Sequence, residues 1–457
     1  MPDRQEYKEK TDKEILGYSR YVVAVAAFFA MFVISPFEYT WSSMSGKIGS
    51  IYGWSHEQVA MMFTLFIICQ SIGMLPGGIL RDRFGPRWTT AIAGVFSGLG
   101  IFSIAMGPSY GFVIVLWCVG SFFTGFIYNN AVTTGNKWFC DHRGVMTGLI
   151  AGAFSWGSLP FIFSIRSIPH SASNSTFFNV IYVMAAVIAG VSIVAALFMK
   201  DPPKGWAPKG WVPKTTANVR PTDHEYTVSQ SLMTWQMWVL IASFILISGA
   251  GLAGMSKIVA YSNSFGFTAT AATAAAGGIS IANGFGKFIL GSASERWGRE
   301  NTMVLSYVLC GLLLLATVVA GNVGSEPLFV VAAILGIFFW ASLFSLFPII
   351  IGHYYGNSGA GGNYGVLYAI AKGTGGLYGG IISAVLIHHH GFSYGMTVAG
   401  IMAIIAGLVI LPLKYFPPVW RHQDSGSLKR GDDGAEKRTG SGLSPQSAKT
   451  LPTSPAA

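Results

Sequence analysis

The sequence predicts an all-α membrane protein of twelve transmembrane helices arranged as two six-helix halves. Three observations predict it. Of 457 residues, 52% are hydrophobic and 11% charged, where a soluble domain carries about a quarter charged residues; the mean hydropathy is +0.51. Glycine is abundant, at 57 residues, which suits membrane helices because close contact replaces the hydrophobic drive between them. Apolar runs long enough to cross a core of about 30 Å, roughly 20 residues each, occur in two sets of six on either side of a polar interval.

The elements follow in chain order. Residues 1–20 form a polar, mixed-charge segment, "MPDRQEYKEKTDKE", expected to be cytoplasmic; no short apolar core with a small-residue cleavage pattern follows, so no cleavable signal peptide is expected. The N-terminal half, 21–199, holds runs at about 21–44, 57–80, 88–106, 109–132, 144–168 and 176–199. The central loop, 200–234, begins "DPPKGWAPKGWVPK". Its prolines and glycines oppose continuous helix, and Trp206 and Trp211 suit a membrane interface. The C-terminal half, 235–415, holds runs at about 235–257, 271–294, 302–320, 326–350, 363–387 and 392–413. Residues 416–457 are polar, rich in Gly, Ser and Pro with mixed charge, and are expected to be a disordered cytoplasmic tail.

Charge sets the expected orientation. Arg81, Arg83 and Arg87 follow the second run, Lys137 and Arg143 the fourth, and Arg296 and Arg299 the eighth. The central loop carries Lys200, Lys204, Lys209, Lys214 and Arg220. Alternate loops hold few cations, chiefly Lys47 and Arg166. The cation-rich side is expected to be cytoplasmic, with both termini there and the protein in a bacterial inner membrane. The net charge of +10 is read as this loop bias, so no nucleic-acid partner is expected. The four cysteines form no CxxC pair, and neither a disulfide framework nor a zinc site is suggested. His388–His390 and the sequon at Asn174 fall in outer loops. The loops hold no evident phosphate-binding or nucleophile-elbow motif and no nucleophile–base set. Neither enzyme chemistry nor a cofactor or metal is expected.

Two stretches repeat in register. "GGILRDRFGPRWT" (Gly77 to Thr89) follows the second run and "LGSASERWGRENT" (Leu290 to Thr302) the eighth; both fit G-x-x-x-[DE]-R-x-G. Parallel repeats of six helices are the architecture of major-facilitator transporters, whose substrate site lies near the midplane between the halves. The motif residues Gly78, Asp82, Arg83, Gly85, Arg87, Glu295 and Arg296 are gating candidates: charge pairs at helix ends can hold one conformation and release in the other.

Ionisable residues inside the runs are few: Glu38, Lys287 and Lys372, with Lys257 near an outer end. Each costs roughly 2.5 kcal/mol or more at the bilayer centre if it faces lipid. Lys257 can snorkel. Lys287 and Lys372 lie at matching depth, about 10–14 Å from the inner edge by helical rise. Two lysines at one level repel unless an anion lies between them, and only Glu38 offers a carboxylate at comparable depth.

The chain resembles the oxalate/formate antiporter family, which includes lactate and other monocarboxylate transporters. The resemblance rests on the loop signature and on "EYTWSSM", "NKWFCDHRGVMTG", "PPKGWAPKGW", "NGFGKFILG", "SLFP" and "NYGVLYAIAKGTGG", and spans about 20 to 415. It implies that two cations grip the substrate carboxylate. Lys372 matches the family lysine, and Lys287 stands where the oxalate transporter has arginine. Tyr39, Tyr128 and Trp340 match pocket positions, Phe344 replaces a tyrosine, and Glu38 replaces a neutral glutamine. With Glu38 ionised the three groups sum to about +1, which suits a monocarboxylate; with Glu38 protonated the site binds an anion better, a linkage that could couple proton and anion. Pro36 frees a carbonyl and is placed to kink the first helix at the site. The expected function is secondary active transport of a small organic anion such as lactate, pyruvate or formate, with proton symport as one mode of coupling. The alternatives are an oxalate/formate-type dicarboxylate antiporter and a non-transporting membrane sensor.

Overall fold

The computed structural model describes residues 11–107, 109–169, 173–203, 205–209 and 225–416, all helix, turn or irregular chain. The expected tail, and the loop residues Lys204, Trp211, Lys214 and Arg220, lie outside them.

All twelve expected spans are helical. The first runs Arg20–Val33, Pro36–Tyr39 and Trp41–Tyr52; the second is His56–Phe84, the third Pro86–Met106, the fourth Tyr110–Trp138. The fifth comprises Arg143–Trp156 and Leu159–Arg166, and the sixth is Asn174–Phe198. The seventh is Trp235–Ser264, the eighth Ala269–Trp297 and the ninth Arg299–Asn322. The tenth comprises Glu326–Trp340 and Leu343–Tyr355. The eleventh comprises Ala360–Leu377, a π-helical turn Tyr378–Ile382 and Ser383–His390, and the twelfth is Phe392–Tyr415. Several helices outrun their apolar stretch because capping extends them. Ser55 and Gln58 form a capping box at the start of the second, and the Thr268 side chain accepts from the Ala271 N–H at the start of the eighth.

Among the described residues, eleven helices are both long and apolar enough to cross a membrane. The eighth is long enough, but Ala and Gly replace bulky apolar residues along it, and it carries Asn283 and Lys287. Such a helix fits between neighbours better than against lipid. Large apolar side chains including Val25, Phe29, Val183, Val194 and Leu197 face outward, as a hydrocarbon-facing surface requires.

The helix breaks have identifiable causes. Pro36 has no N–H and starts a new helical segment after Ser35, as the sequence predicts. The break at Gly157 lies against it: a Cβ on Gly157 would sit 1.8 Å from the Phe32 carbonyl oxygen, so glycine alone lets the two interruptions meet. Gly85 and Gly298, with φ of +83° and +87°, make the same left-handed turn after the second and eighth helices. Any other residue would be strained there. The halves meet along two seams, the second helix against the eleventh and the fifth against the eighth. A Cβ on Gly365 would lie 2.4 Å from the Met74 oxygen, and one on Gly148 2.4 Å from the Lys287 oxygen.

Candidate functional site

Both central lysines are fully buried. Lys287 lies ten residues before the end of the eighth helix and Lys372 twelve after the start of the eleventh, about 15 and 18 Å along their axes. They are neighbours around one ring: the ammonium groups lie 4.8 and 5.5 Å from the Phe344 centroid. Their other partners differ. Lys372 Nζ donates to Glu38 Oε2 at 3.1 Å and to Gln70 Oε1 at 2.8 Å. Lys287 Nζ donates to the Ser155 hydroxyl at 2.8 Å and otherwise faces aromatic rings, Phe154 at 5.7 Å and Tyr39 at 5.9 Å. Among the described residues Lys287 has no carboxylate within ion-pair distance.

Glu38 comes from the short segment that follows the proline break, which places it in the first half opposite the eleventh helix. Neither partner of the Glu38–Lys372 bridge exceeds 4% side-chain exposure. Buried bridges of this kind hold only when further hydrogen bonds satisfy both partners. Gln70 does this for Lys372, and it is itself oriented by donating Nε2 to the Thr124 hydroxyl at 3.2 Å.

The expected aromatic residues converge here. Tyr39 accepts from Asn283 Nδ2 at 3.0 Å and packs edge-on to Phe154, 5.5 Å between centroids. Tyr128 packs on Phe154, Phe344 and Tyr368. Trp340 stands edge-on to Phe344 at 5.3 Å, but its indole N–H is already committed to the Ile247 oxygen at 2.8 Å. It therefore supports the wall and has no donor to spare. The hydroxyls of Tyr128, Tyr364 and Tyr368 are buried without a well-directed hydrogen bond. Gln70, Ser155, Asn283, Phe154, Tyr364 and Tyr368 are the residues that sequence reasoning missed. Only Gln70, an amide inside an apolar run, carried a signal of its own.

The repeated motifs occupy the basic face and act alike. A Cβ on Gly78 would lie 2.1 Å from the Gly361 oxygen, and one on Gly291 2.8 Å from the Gly144 oxygen. In each case glycine admits the first turn of a helix from the other half. Four residues on, the motif carboxylate caps that turn: Asp82 Oδ2 accepts from the Gly362 N–H at 2.9 Å, and Glu295 Oε1 from the Gly144 and Val145 N–H groups at 2.6 and 3.3 Å. A carboxylate at free N–H groups is favoured by the hydrogen bonds and the helix dipole together. The expected charge pairing among motif residues is thus replaced by carboxylate-to-helix contacts. Arg83, Arg87 and Arg296 are exposed rather than at the seams; Arg83 lies over the Phe84 ring and Arg87 donates to the Leu197 oxygen.

Beside the second helix the buried Arg81 donates to Asp201 and Thr134, while Lys137 Nζ bridges Asp82 at 3.1 Å and Asp201 at 2.8 Å. Burial pushes the Asp201 carboxyl up, but Arg81 and Lys137 outweigh it and hold the group below the usual carboxylate range. Among the described residues no group of three His, Cys, Asp or Glu side chains could hold a metal.

Known proteins share this arrangement. The chain is similar over 392 residues, at 26% identity, to the oxalate:formate antiporter of Oxalobacter formigenes, with 86% of this chain and 90% of that protein covered. A probable nitrate/nitrite transporter of Mycobacterium tuberculosis is 23% identical over 70% of this chain and 78% of its own length. Among solved structures, the proton:xylose symporter XylE superposes with a TM-score of 0.66 at 12% identity, over 86% of this chain and 95% of that one, which speaks to the fold alone. The sequence profile of the Major Facilitator Superfamily matches residues 21–256 and 238–449; with the twelve-helix architecture, this makes the chain a multi-pass membrane transporter of the Major Facilitator Superfamily.

Proposed function

We propose that this protein carries a small organic monocarboxylate, of the size of lactate, pyruvate or formate, across the membrane by alternating access, with Lys287 and Lys372 holding the carboxylate. One observation carries the reading. Lys372 and Glu38 cancel each other, which leaves the buried Lys287 cation in need of one negative charge. A buried cation without a partner costs several kcal/mol, and one carboxylate supplies what is missing. Phe154 and Phe344 exclude water around both ammonium groups and strengthen that attraction. Tyr39, Tyr128, Trp340 and Phe344 complete the enclosure. Protonation of Glu38 would free Lys372 to join the grip, so anion and proton would favour each other's binding.

The basic face is read as cytoplasmic, with both termini there. In this reading Asp82 and Glu295 hold the halves together at that face, and opening requires both caps to release.

Uptake of labelled lactate into proteoliposomes tests the assignment: Lys372→Ala and Lys287→Ala should each abolish uptake, and a wild-type rate in either would remove that lysine from the site. Glu38→Gln should lose pH-driven accumulation yet keep counterflow; an unchanged pH response would leave Glu38 a structural partner only. A second reading, dicarboxylate exchange, is favoured by the similarity to the oxalate:formate antiporter. Strong competition of lactate uptake by oxalate would select it. Binding of either anion without flux would point instead to a sensor.

A further inference from the structure

The fifth helix begins with an arginine that the carboxylate site does not use. Arg143 is 6% exposed. Its Nη2 donates to the neutral Asn357 side chain at 3.1 Å, and its Nε has no partner. Among the described residues it has no carboxylate in ion-pair range. The other deeply placed arginines differ: Arg81 donates to Asp201, and Arg20 makes a two-pronged pair with Asp141 at 2.8 and 2.6 Å. Glu295 is nearby, but its carboxylate is committed to the amides of Gly144 and Val145. More positive charge gathers instead, since Arg143 and Arg299 both act electrostatically on the buried His353. Gly352 leaves room beside the guanidinium: even a Cβ added there would be 3.2 Å from Nη1.

Position gives this cluster a purpose. Arg143 lies on the same seam as Lys287, between the fifth and eighth helices. Ser155, which holds Lys287, is twelve residues further along the same helix, roughly 18 Å by helical rise. The guanidinium therefore stands between the buried lysines and the basic face, at the point where the halves would part. We propose that Arg143 is a second carboxylate-binding station, which takes the transported anion on the cytoplasmic side of the lysine pair and hands it to or from Lys287. A guanidinium presents two parallel N–H donors to a carboxylate, a fork that lysine lacks. In the closed arrangement Asn357 occupies one prong; parting the halves would free it. The proposal rests on the carboxylate reading of the central site.

The test separates a station from a structural tie. Arg143→Gln keeps an amide for Asn357 but removes the charge, and Arg143→Lys restores charge without the fork. Labelled lactate and, in parallel, labelled oxalate are offered to oriented proteoliposomes of phosphatidylcholine alone, from each face in turn. The expected result is a rise of about tenfold in KM from the cytoplasmic face for Arg143→Gln. Arg143→Lys should recover part of it, and KM from the outer face should stay within about twofold of wild type. An unchanged cytoplasmic KM, or an equal rise from both faces, overturns the proposal in favour of a tie. So does an effect seen only when phosphatidylglycerol is added, because the ligand would then be a lipid headgroup. Failure of the central reading is distinguishable: it shows as wild-type uptake in Lys372→Ala, whatever the face asymmetry of Arg143→Gln.

Discussion

Gly78→Ala should drive the protein toward the conformation open at the basic face. The added Cβ would be 2.1 Å from the Gly361 oxygen, 2.5 Å from its carbonyl carbon and 2.8 Å from Asn129 Nδ2. Ordinary contact lies near 3.5 Å, so the second and eleventh helices must separate by roughly 1.3 Å. Two hydrogen bonds span that gap, Asp82 to the Gly362 N–H and Asn129 to the Gly361 oxygen, both 2.9 Å. A separation of that size takes both beyond hydrogen-bonding range. One is charge-assisted; together they are worth about 2–3 kcal/mol after water replaces part of the loss. That shifts a two-state equilibrium roughly 30- to 150-fold. The assay is thiol labelling of purified protein in detergent, with the four native cysteines changed to serine and Ser345→Cys as reporter. Ser345 is buried beneath Gly291, whose Cβ would lie 3.2 Å from it. Labelling should accelerate at least tenfold in Gly78→Ala, with the protein still monodisperse. A wild-type labelling rate in folded protein would show that the seam yields without opening, and the latch argument would be wrong.

Three further outcomes follow from the same contacts. Gly144→Ala, whose Cβ would meet the Gly291 oxygen at 2.1 Å, should raise labelling to a similar degree, and equal labelling of Gly144→Ala and wild type would show that the two seams are not equivalent. Gln70→Leu removes one of the two acceptors of Lys372 and should raise KM for the transported anion about tenfold, roughly the worth of one hydrogen bond to a charged group, with little change in maximal rate. A selective loss of rate would place Gln70 in the conformational step instead. Asp201→Asn should lower stability at neutral pH by about 2–3 kcal/mol, the low end for a removed buried partner because 21% of its side chain is exposed. The Asp201 carboxyl is held below its usual range, so its stabilisation is present above the unfolded carboxylate value and is lost as pH falls through the folded one. Thermal unfolding of the variant should therefore respond less to acid than wild type does, and parallel acid profiles would contradict this.

The charge pattern made much of the molecule legible. A lysine within a glycine-rich apolar run must have a partner or a cavity, and the structure gives Lys372 both Glu38 and Gln70. The proline before Glu38 announced the break in the first helix. Other features depend on docking between segments far apart in the chain. Asp82 and Glu295 looked like members of arginine clusters, because their immediate neighbours are arginines. Their actual partners are main-chain amides some 280 and 150 positions away, and no local pattern encodes an amide. Ser155 and Asn283 are unremarkable in sequence and gain their roles from the seam between the fifth and eighth helices. The breaks at Gly157 and after Trp340 lack a proline at the point of rupture, so they were not anticipated.

The π-helical turn at Tyr378–Ile382 changes how the eleventh helix can be edited. Such a turn holds one residue more than an α-helical turn, and each residue of an α-helix advances about 100° around the axis. The extra residue therefore sets the azimuth of everything from Ser383 onward independently of the stretch that holds Lys372. Deleting one residue between 378 and 382 would rotate the outer end by about that angle relative to the inner one. Ser383, now buried, would swing off its present neighbours, whereas the same deletion beyond His390 would leave that alignment intact. Tolerance of length changes along this helix is thus decided by where they fall relative to one turn.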